Sequence, residues 1–482
     1  MIAFYGLALV AAAALAALPL LMARVSVGLA FKAAIFCFVG AFLILKAIVP
    51  RRDHFEPPGP RLDPATQPRL FAEIRRTASA TRQAEPADVF LLADVNAFVT
   101  HRGGFMGLGS RRVMGLGLPL LQALTVPELR AVLAHEFGHL DGGDVALGPW
   151  VYSTRGALLR TLQDLHQHSQ ALTLPFQWFA NLFFRVTHAI SRHQEVKADQ
   201  LAARVVGREP LASGLQATDA AAYVFAPYWH ANVYPLLSAG FLPPLAAGFD
   251  TFREAPWLAG LLSSREPAAE NPFDTHPSLP ARLAALGVTP ADSKPATGPR
   301  AVSLLDDPAA LESRLATHLT SPEGRASKPE GTSSSLTPEP RPLTPITWDE
   351  VGTKVWLPDW EKAADKHRRH LEGLTPATLP GFDWERLGRR VTAGQSDAQP
   401  LHAADSLVGV ALAVALSRAG FTVDSTPGLN ATLVGPADRI EPFGVRERLA
   451  SGPEAVAAWQ ELCLRVGIAE VDLGSLAKTR AG

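Results

Sequence analysis

Cysteine is nearly absent from this sequence of 482 residues, which contains only Cys37 and Cys463. Neither belongs to a CxxC pair, and Cys37 lies in an apolar run typical of a membrane-embedded segment. We therefore expect no disulfide between the two cysteines, and this favours a reducing compartment.

An excess of charge of either sign is also missing. Lys and Arg number 45 against 46 Asp and Glu, which gives a formal net charge of -1. No long-range field then attracts the chain to nucleic acid, so no nucleic-acid partner is predicted. The glycine-rich stretch at 88–117 matches neither GxGxxG nor GxxxxGK[ST], which argues against a nucleotide site.

Charge is absent from residues 2–23, which exceed the roughly 20 residues needed to cross a bilayer. A second apolar run at 29–49 has Lys32 and Lys46 near its ends, where long side chains can reach the headgroups. We interpret residues 1–50 as a transmembrane helical hairpin. The alternative, a cleaved signal peptide, requires a basic first segment that the chain lacks and leaves the second run unexplained.

A third charge-free stretch, residues 169–184, is shorter than a membrane span and is interrupted by Pro175. Its composition favours a buried or interfacial amphipathic helix, with a shallow entry into the membrane as the open alternative.

The remaining chain divides by composition. Residues 60–287 are dense in periodic apolar segments, and residues 288–345 are rich in Pro, Ser, Thr and Glu, which predicts a linker with one short amphipathic piece at 304–318. Residues 346–482 regain helix and strand patterns, including an apolar helix at 406–420 that is too short to span. The predicted fold class is α+β and mainly helical, with a small sheet in the domain at 60–287 and a C-terminal α/β domain whose role and partner are unknown.

One helix carries the chemistry, in the stretch "TVPELRAVLAHEFGHLDGGD" at 125–144. Thr125 and Glu128 form a capping-box pattern at its start. His135 and His139 lie one helical turn apart on the same face, where two imidazoles can reach one tetrahedral metal ion. Glu136 lies beside them and can address a water on that metal. This HExxH pattern predicts a catalytic zinc site, although such a pair by itself is more often structural.

A catalytic zinc needs a third protein ligand, and the helical stretch "AISRHQEVKADQLAARVVG" at 189–207 offers one. Glu195 and Asp199 are four residues apart on one face. Glu195 can then bind the metal while Asp199 accepts the other ring N–H of a zinc histidine. An E-x-x-x-D pair alone is usually a solvated acidic face, but beside HExxH it favours a metal site.

Four segments in order resemble one known family: "VNAFVTHRGG" (95–104), "LTVPELRAVLAHEFGHLDGGD" (124–144), "SRHQEVKAD" (191–199) and "DTHPSLPARLAAL" (274–286). The family is that of the membrane zinc metallopeptidases that include the heat-shock protease HtpX and the CAAX prenyl proteases, a gluzincin group. The resemblance implies that the domain at 60–287 is zincin-like, that His135, His139 and Glu195 bind zinc, that Glu136 is the catalytic base, and that Asp199 supports a ligand. HtpX-like proteins carry further clear spans between the two metal helices, where this chain has only residues 169–184.

The sequence also suggests roles for a strand at residues 96–98 and for His276. Residues 88–117 alternate like strands before the zinc helix, and Asn96, Ala97 and Phe98 could form an edge that pairs with an extended peptide; a plain structural hairpin is the equal alternative. His276 lies in "THPSLPARL" before a short helix that contains Arg282. A lone histidine before proline is more often a turn residue. The resemblance implies instead that His276 approaches the metal, as an oxyanion-stabilising group or a reversible ligand.

The sequence thus predicts a zinc metalloendopeptidase in the bacterial cytoplasmic membrane, with its catalytic domain facing the cytoplasm. By family analogy, its substrates are misfolded or membrane-proximal polypeptides, as in protein quality control. Two alternatives belong to other classes. A CAAX-type processing protease would need a large membrane chamber that two spans can hardly build. A non-catalytic zinc chaperone or scaffold would prefer four protein ligands and would not need Glu136.

Both termini are expected in the cytoplasm because Lys46, Arg51, Arg52, Arg61 and Arg69 follow the second predicted span. A reporter domain that is active only when it folds in the cytoplasm should therefore be active when it is fused after residue 482. Efficient labelling of that reporter from the periplasmic side would contradict the predicted topology.

Overall fold

The computed structural model describes residues 2–24, scattered positions from 26 to 45, and residues 55–104, 109–140, 192–265, 277–289, 296–321, 343–393 and 399–476, together with Gln177 and Asn181. Its contacts divide the chain into two compact units. Unit 1 comprises Met1–Tyr223 and Ser264–Gly331, and unit 2 comprises Val224–Ser263 and Thr332–Gly482.

The N-terminal apolar segment forms a single helix, Ile2–Ala23, of 22 residues. Several of its large apolar side chains are exposed, among them Leu9, Val10 and Leu20. The second predicted span at 29–49 and the stretch at 169–184 lie largely outside the described residues. The long first helix therefore agrees with the sequence, while the hairpin stays a prediction.

Unit 1 contains a four-stranded sheet of β1 (Arg61–Leu62), β2 (Asp88–Leu92), β3 (Ala97–Arg102) and β4 (Arg111–Gly117), in the order β1-β2-β4-β3. β2 runs parallel to β4, and β3 pairs with β4 as an antiparallel hairpin. All five residues of β2 are buried, as expected for a central apolar strand. β3 lies at an edge of the sheet and contacts the helix that carries the HExxH pattern.

Unit 1 also contains helices, of which the HExxH helix contacts β3 and Leu118–Ala123 contacts β4. The HExxH helix is Val126–Gly138; Thr125 and Glu128 form the predicted capping box at its start. The helix that carries Glu195, here called the Glu195 helix, covers residues 192–206. The helix that carries Arg282, the Arg282 helix, is Leu279–Leu286. The others are Pro68–Ala80, Leu118–Ala123 and Pro308–Thr320, together with the helix Arg208–Tyr228, whose residues from Val224 onward are assigned to unit 2.

Part of the predicted linker is ordered and belongs to unit 1. Residues 296–321 include a short 3-10 turn, Ala301–Leu304, and the helix Pro308–Thr320, which agrees with the amphipathic piece expected at 304–318. Two backbone hydrogen bonds hold residues 299–301 at the start of the HExxH helix. Val126 N–H donates to Pro299 O at 2.9 Å, and Ala301 N–H donates to Leu124 O at 2.8 Å. Composition alone does not reveal such contacts, because backbone hydrogen bonds do not depend on the side chain.

Unit 2 is mainly helical, with two small sheets. β5 (Phe241–Leu242) pairs in parallel with β6 (Thr344–Pro345), and β7 (Thr422–Asp424), β8 (Thr432–Val434) and β9 (Arg439–Ile440) form an antiparallel sheet. Its helices are Tyr234–Ala239, Leu245–Arg253, Pro256–Ser263, Trp348–Val351, Leu357–Lys366, Arg368–Leu371, Trp384–Val391, Pro400–Arg418, Val445–Leu449 and Pro453–Val466.

The core of unit 2 is built around the helix Pro400–Arg418. By length and composition alone, this helix could cross a membrane. Ten of its residues are buried, and nine of them pack in one apolar cluster with the strands β7 to β9 and with Trp459. The sequence predicted an apolar helix at 406–420 that is too short to span; the helix instead begins at Pro400 and its 19 residues are long enough to cross, so the predicted length was wrong.

The boundary between the units differs from the one that composition indicates. Residues 224–263 fall inside the predicted peptidase domain at 60–287, yet they form one compact unit with the C-terminal residues. Trp348 donates its indole N–H to Pro244 O at 3.1 Å and lies so close to Gly248 that a Cβ there would be 2.4 Å from its ring. The sequence gives no signal for this contact, because its two sides are about 100 residues apart.

The fold class is otherwise as expected. The chain is mainly helical with small sheets, which confirms an α+β arrangement at that level.

Replacing Trp348 by Ala should loosen the contact between residues 236–249 and 343–356. The change removes a half-buried ring and its hydrogen bond, at a cost of about 2 kcal/mol, below the cost of about 3–5 kcal/mol for a fully buried aromatic. Hydrogen exchange of the full chain in detergent should then show roughly 30-fold lower protection at β5 and β6.

Leu464→Ala is the control, because Leu464 is 71% exposed on the same unit. It should leave protection unchanged. Equal protection in Trp348→Ala and in the parent protein would show that this ring does not hold the two segments together.

Candidate metal centre

Two histidines of the HExxH helix point to the same place. His135 is buried and His139 is half-buried, one helical turn further. Their Nε2 atoms are 3.2 Å apart. The helical repeat therefore brings the two imidazoles together as the sequence predicts.

The Glu195 helix supplies a carboxylate to these nitrogens. Glu195 is 2% exposed, and its Oε2 and Oε1 atoms lie 3.5 Å from His135 Nε2 and 3.4 Å from His139 Nε2. The two helices approach closely at Gly138, where a Cβ would be 2.8 Å from the Ala198 Cα. One ligand atom from each of these three side chains lies within 4.8 Å of the others, a group that could hold a metal ion.

Asp199 orients the first histidine. Its Oδ1 atom lies 2.9 Å from His135 Nδ1. A proton on Nδ1 donates to this carboxylate, which leaves the lone pair of Nε2 directed at Glu195 and His139. Histidines that bind metals are held in this way by an acceptor on their other ring nitrogen.

Arg282 completes the polar cluster. Its Nε and Nη2 atoms donate to Asp199 Oδ2 at 3.0 Å and Oδ1 at 2.7 Å, a two-pronged ion pair. Nη2 also lies 3.2 Å from Nδ1 and 3.3 Å from Nε2 of His135. These nearly equal distances mean that it is not aligned with a single lone pair of the ring.

The charges of the cluster reinforce one another. Burial raises the pKa of Asp199, but hydrogen bonds from His135 and Arg282 outweigh it and lower the pKa to about 2. Burial lowers the pKa of the Arg282 guanidinium, yet its hydrogen bonds to Asp199 and the charges of Asp199, Glu195 and Glu136 raise it overall. Both groups therefore stay ionised at neutral pH.

Glu136 belongs to the same electrostatic cluster. It is half-buried on the HExxH helix, and its carboxylate acts on the charge of Arg282. Its side chain is thus more accessible than that of Glu195, as a group that reacts with a water or a substrate must be.

Other predicted site residues are placed less completely. Asn96 is exposed at the start of the edge strand β3, and Ala97 and Phe98 are half-buried within it. Asn96 O accepts a hydrogen bond from Gly117 N–H at 2.8 Å, so this carbonyl is used inside the sheet. His276 lies outside the described residues.

Sequence reasoning missed the role of Arg282. The motif "THPSLPARL" draws attention to its histidine, whereas Arg282 occupies an ordinary position of a short helix. Only the fold brings the guanidinium to Asp199, 83 residues earlier in the chain. The available signal was the position of Arg282 in the family motif "THPSLPARL".

The arrangement defines a class of site. Two histidines from one helix and a glutamate from a second helix form a group that could hold a metal ion, and the HExxH helix contacts β3, an edge strand of the described sheet. Comparison with known proteins agrees with this class. Residues 64–289 match the model of Peptidase family M48. This confirms the resemblance to the HtpX-like membrane metallopeptidases for that segment.

Curated relatives include Protease HtpX of Haemophilus influenzae (strain PittEE), which is 28% identical over 177 residues, 31% of this chain and 61% of its own length. Protease HtpX of Actinobacillus pleuropneumoniae serotype 5b is 27% identical over 177 residues, 31% of this chain and 59% of its own. For Protease HtpX of Yersinia pestis (strain Pestoides F), the values are 27% over 218 residues, 39% of this chain and 72% of its own. The chain thus spans about three fifths of the first relatives. No solved structure matches.

Arg282→Lys should weaken metal binding although it keeps the positive charge. A lysine cannot make the two parallel hydrogen bonds to Asp199, so the carboxylate would hold His135 less firmly. We expect a loss of roughly tenfold in zinc affinity, the lower end for groups that orient a ligand, measured by competition with a chelator.

Arg204→Lys is the matched control, because Arg204 is exposed on the Glu195 helix. If Arg282→Lys and Arg204→Lys both bound zinc like the parent protein, Arg282 would have no part in holding the metal centre.

Proposed function

We propose that the chain is a membrane-anchored zinc endopeptidase, with His135, His139 and Glu195 as ligands. The observation that carries the proposal is the spacing of the donor atoms: the two Nε2 atoms are 3.2 Å apart, and the Glu195 carboxylate lies 3.4 Å from His139 Nε2 through Oε1 and 3.5 Å from His135 Nε2 through Oε2. Tetrahedral zinc with bonds of about 2.0–2.1 Å requires its ligand atoms to be about 3.3 Å apart. Two imidazole nitrogens and a carboxylate oxygen also form a donor set that zinc prefers.

The charge of the site supports a divalent cation. Glu136, Glu195 and Asp199 bring three negative charges to the cluster, and Arg282 brings one positive charge. Glu195 and Asp199 are 2% and 3% exposed, so water screens them little. Because buried charge is costly without compensation, a bound cation of charge two would stabilise this arrangement.

The proposed reaction is hydrolysis of a peptide bond. When bound, zinc would polarise the substrate carbonyl and lower the pKa of a water from 15.7 to about 7. Glu136 accepts the proton of that water at its carboxylate and delivers it to the leaving amine. Asp199, held by Arg282, keeps the proton of His135 on Nδ1 and so leaves Nε2 available as a ligand.

A polypeptide is the proposed substrate. Among the described residues β3 is an edge strand in contact with the HExxH helix, and an extended peptide could pair with its outer side through backbone hydrogen bonds. Asn96, Ala97 and Phe98 are the proposed contacts. The relatives are named as proteases, which supports a polypeptide substrate, and misfolded or membrane-proximal proteins are the class proposed by family analogy.

The bilayer is the proposed second partner. The 22-residue apolar helix Ile2–Ala23 would anchor the chain, and residues 29–49 would return it to the same side. In this arrangement the peptidase segment faces the cytoplasm. His276 remains a proposed contact to the metal or to the substrate oxyanion.

Two glutamate substitutions should separate chemistry from binding. Glu136→Gln keeps the shape of the HExxH helix but removes the proton acceptor, so zinc should stay bound while peptide cleavage falls by about 100-fold or more. Glu195→Gln replaces a charged ligand by a neutral one, so zinc affinity and cleavage should fall together. Asp199→Asn should cost about 10 to 100-fold in affinity or activity.

Zinc content per chain and casein cleavage are measured together on purified full-length variants, with Glu85→Gln as the control because Glu85 is exposed. Normal cleavage by Glu136→Gln would exclude the proposed mechanism. Normal zinc affinity in Glu195→Gln would require a different third ligand, with His276 the first residue to test.

A further inference from the structure

A second buried polar cluster lies at the other end of the HExxH helix and is centred on Glu128, which is 3% exposed. Its Oε2 atom accepts hydrogen bonds from the N–H and the hydroxyl of Thr125, each at 2.8 Å. The bond from Thr125 N–H is one half of the capping box, the bond from the hydroxyl is additional to it, and both use only one of the two carboxylate oxygens.

The other oxygen of Glu128 joins two further segments. Oε1 accepts a short hydrogen bond from the Ser213 hydroxyl and a bond of 3.2 Å from Ala296 N–H. Ala296 N–H also lies 3.1 Å from Ser213 Oγ. A helix cap does not require these contacts, because both donors come from residues more than 80 positions away along the chain.

Both segments follow parts of the metal centre in the chain. Ser213 lies on the helix Arg208–Tyr228, which follows the Glu195 helix after Gly207 alone. Ala296 lies ten residues beyond Leu286, the last residue of the Arg282 helix. The cluster at Glu128 therefore joins the HExxH helix to the helix after the Glu195 helix and to the chain segment after the Arg282 helix.

Close packing connects the two clusters. Gly138 approaches Ala198 on the Glu195 helix, and a Cβ on Gly214 would be 3.3 Å from Glu128 O. Between the two clusters lies an apolar cluster of Ala131, Ala134, Ala202, Leu211, Leu215 and Leu286. Because its members on the HExxH and Glu195 helices are alanines, these helices pack with little side-chain volume between them. A rotation of the HExxH helix would then directly displace His135 and His139 from Glu195.

We propose that Glu128 is a positioning residue of the metal centre. Its carboxylate fixes the rotation and the height of the HExxH helix relative to the segments that carry Glu195 and Arg282. Seven residues separate Glu128 from His135, which places the two clusters about 10 Å apart along the helix. The proposal rests on the proposed metal site, whose ligands it holds in register.

Three substitutions each remove a different set of the hydrogen bonds made by Glu128. Ser213→Ala removes a donor from another segment and leaves the cap intact. Thr125→Ala removes the capping hydroxyl and leaves the contacts to Ser213 and Ala296. Glu128→Gln replaces one oxygen by an NH2 group, which cannot accept and therefore opposes the donors on one side.

The full chain in detergent is loaded with Co²⁺, whose visible absorption reports the geometry of its ligands. Separate measurements give the zinc affinity, kcat, KM and the unfolding temperature of the metal-free protein. Ser213→Ala and Glu128→Gln should change the Co²⁺ spectrum, weaken zinc binding roughly tenfold and lower kcat with little change in KM. Thr125→Ala should lower the unfolding temperature and leave the spectrum unchanged. Ser213→Thr keeps the hydroxyl and should restore the parent spectrum.

The outcomes separate this proposal from the proposed function. Failure of the parent protein to bind Co²⁺ and Zn²⁺ would overturn the metal site itself. If the parent protein binds both and Ser213→Ala changes only the unfolding temperature, Glu128 has a structural role and the proposal is wrong. Should Glu128→Gln not fold, the comparison of Ser213→Ala with Ser213→Thr decides.

Discussion

The hydrogen-bonded ion pair between Asp199 and Arg282 is the interaction that holds together the polar cluster of the candidate metal centre. Asp199 is almost fully buried, so its charge needs a partner, and Arg282 meets both of its oxygens. The same carboxylate lies 2.9 Å from Nδ1 of His135 and so decides which ring nitrogen faces the metal position. One buried pair thereby links three helices and sets the state of the first histidine.

The ion pair alone does not fix the helices, because a single contact point leaves rotation free. Glu128 supplies a second point, about two turns earlier on the HExxH helix. Small residues between the two points allow the helices to approach, as at Gly138 and Ala198. A metal site that holds its ligands near tetrahedral spacing needs this kind of support, since misplacement by about 1 Å can cost two orders of magnitude in rate.

The division of the chain into two units changes the interpretation of its C-terminal part. Residues 224–263 lie within the segment that matches family M48, yet they form a compact unit with residues 332–482. The pairing of β5 with β6 and the contact of Trp348 with Gly248 belong to this unit. The C-terminal region is therefore joined to a segment of the peptidase homology region by packing as well as by the chain.

The sequence by itself determined the local parts of the protein. It predicted the HExxH helix with its capping box, the long apolar N-terminal helix and the glutamate on the next metal helix, because helical periodicity and ligand chemistry are properties of neighbouring residues. Only the tertiary structure decided the partners of Asp199 and Glu128, the order within residues 296–321 and the assignment of residues 224–263 to unit 2. Those features depend on contacts between segments that are far apart in the chain, and no local pattern encodes which distant donor will satisfy a buried carboxylate.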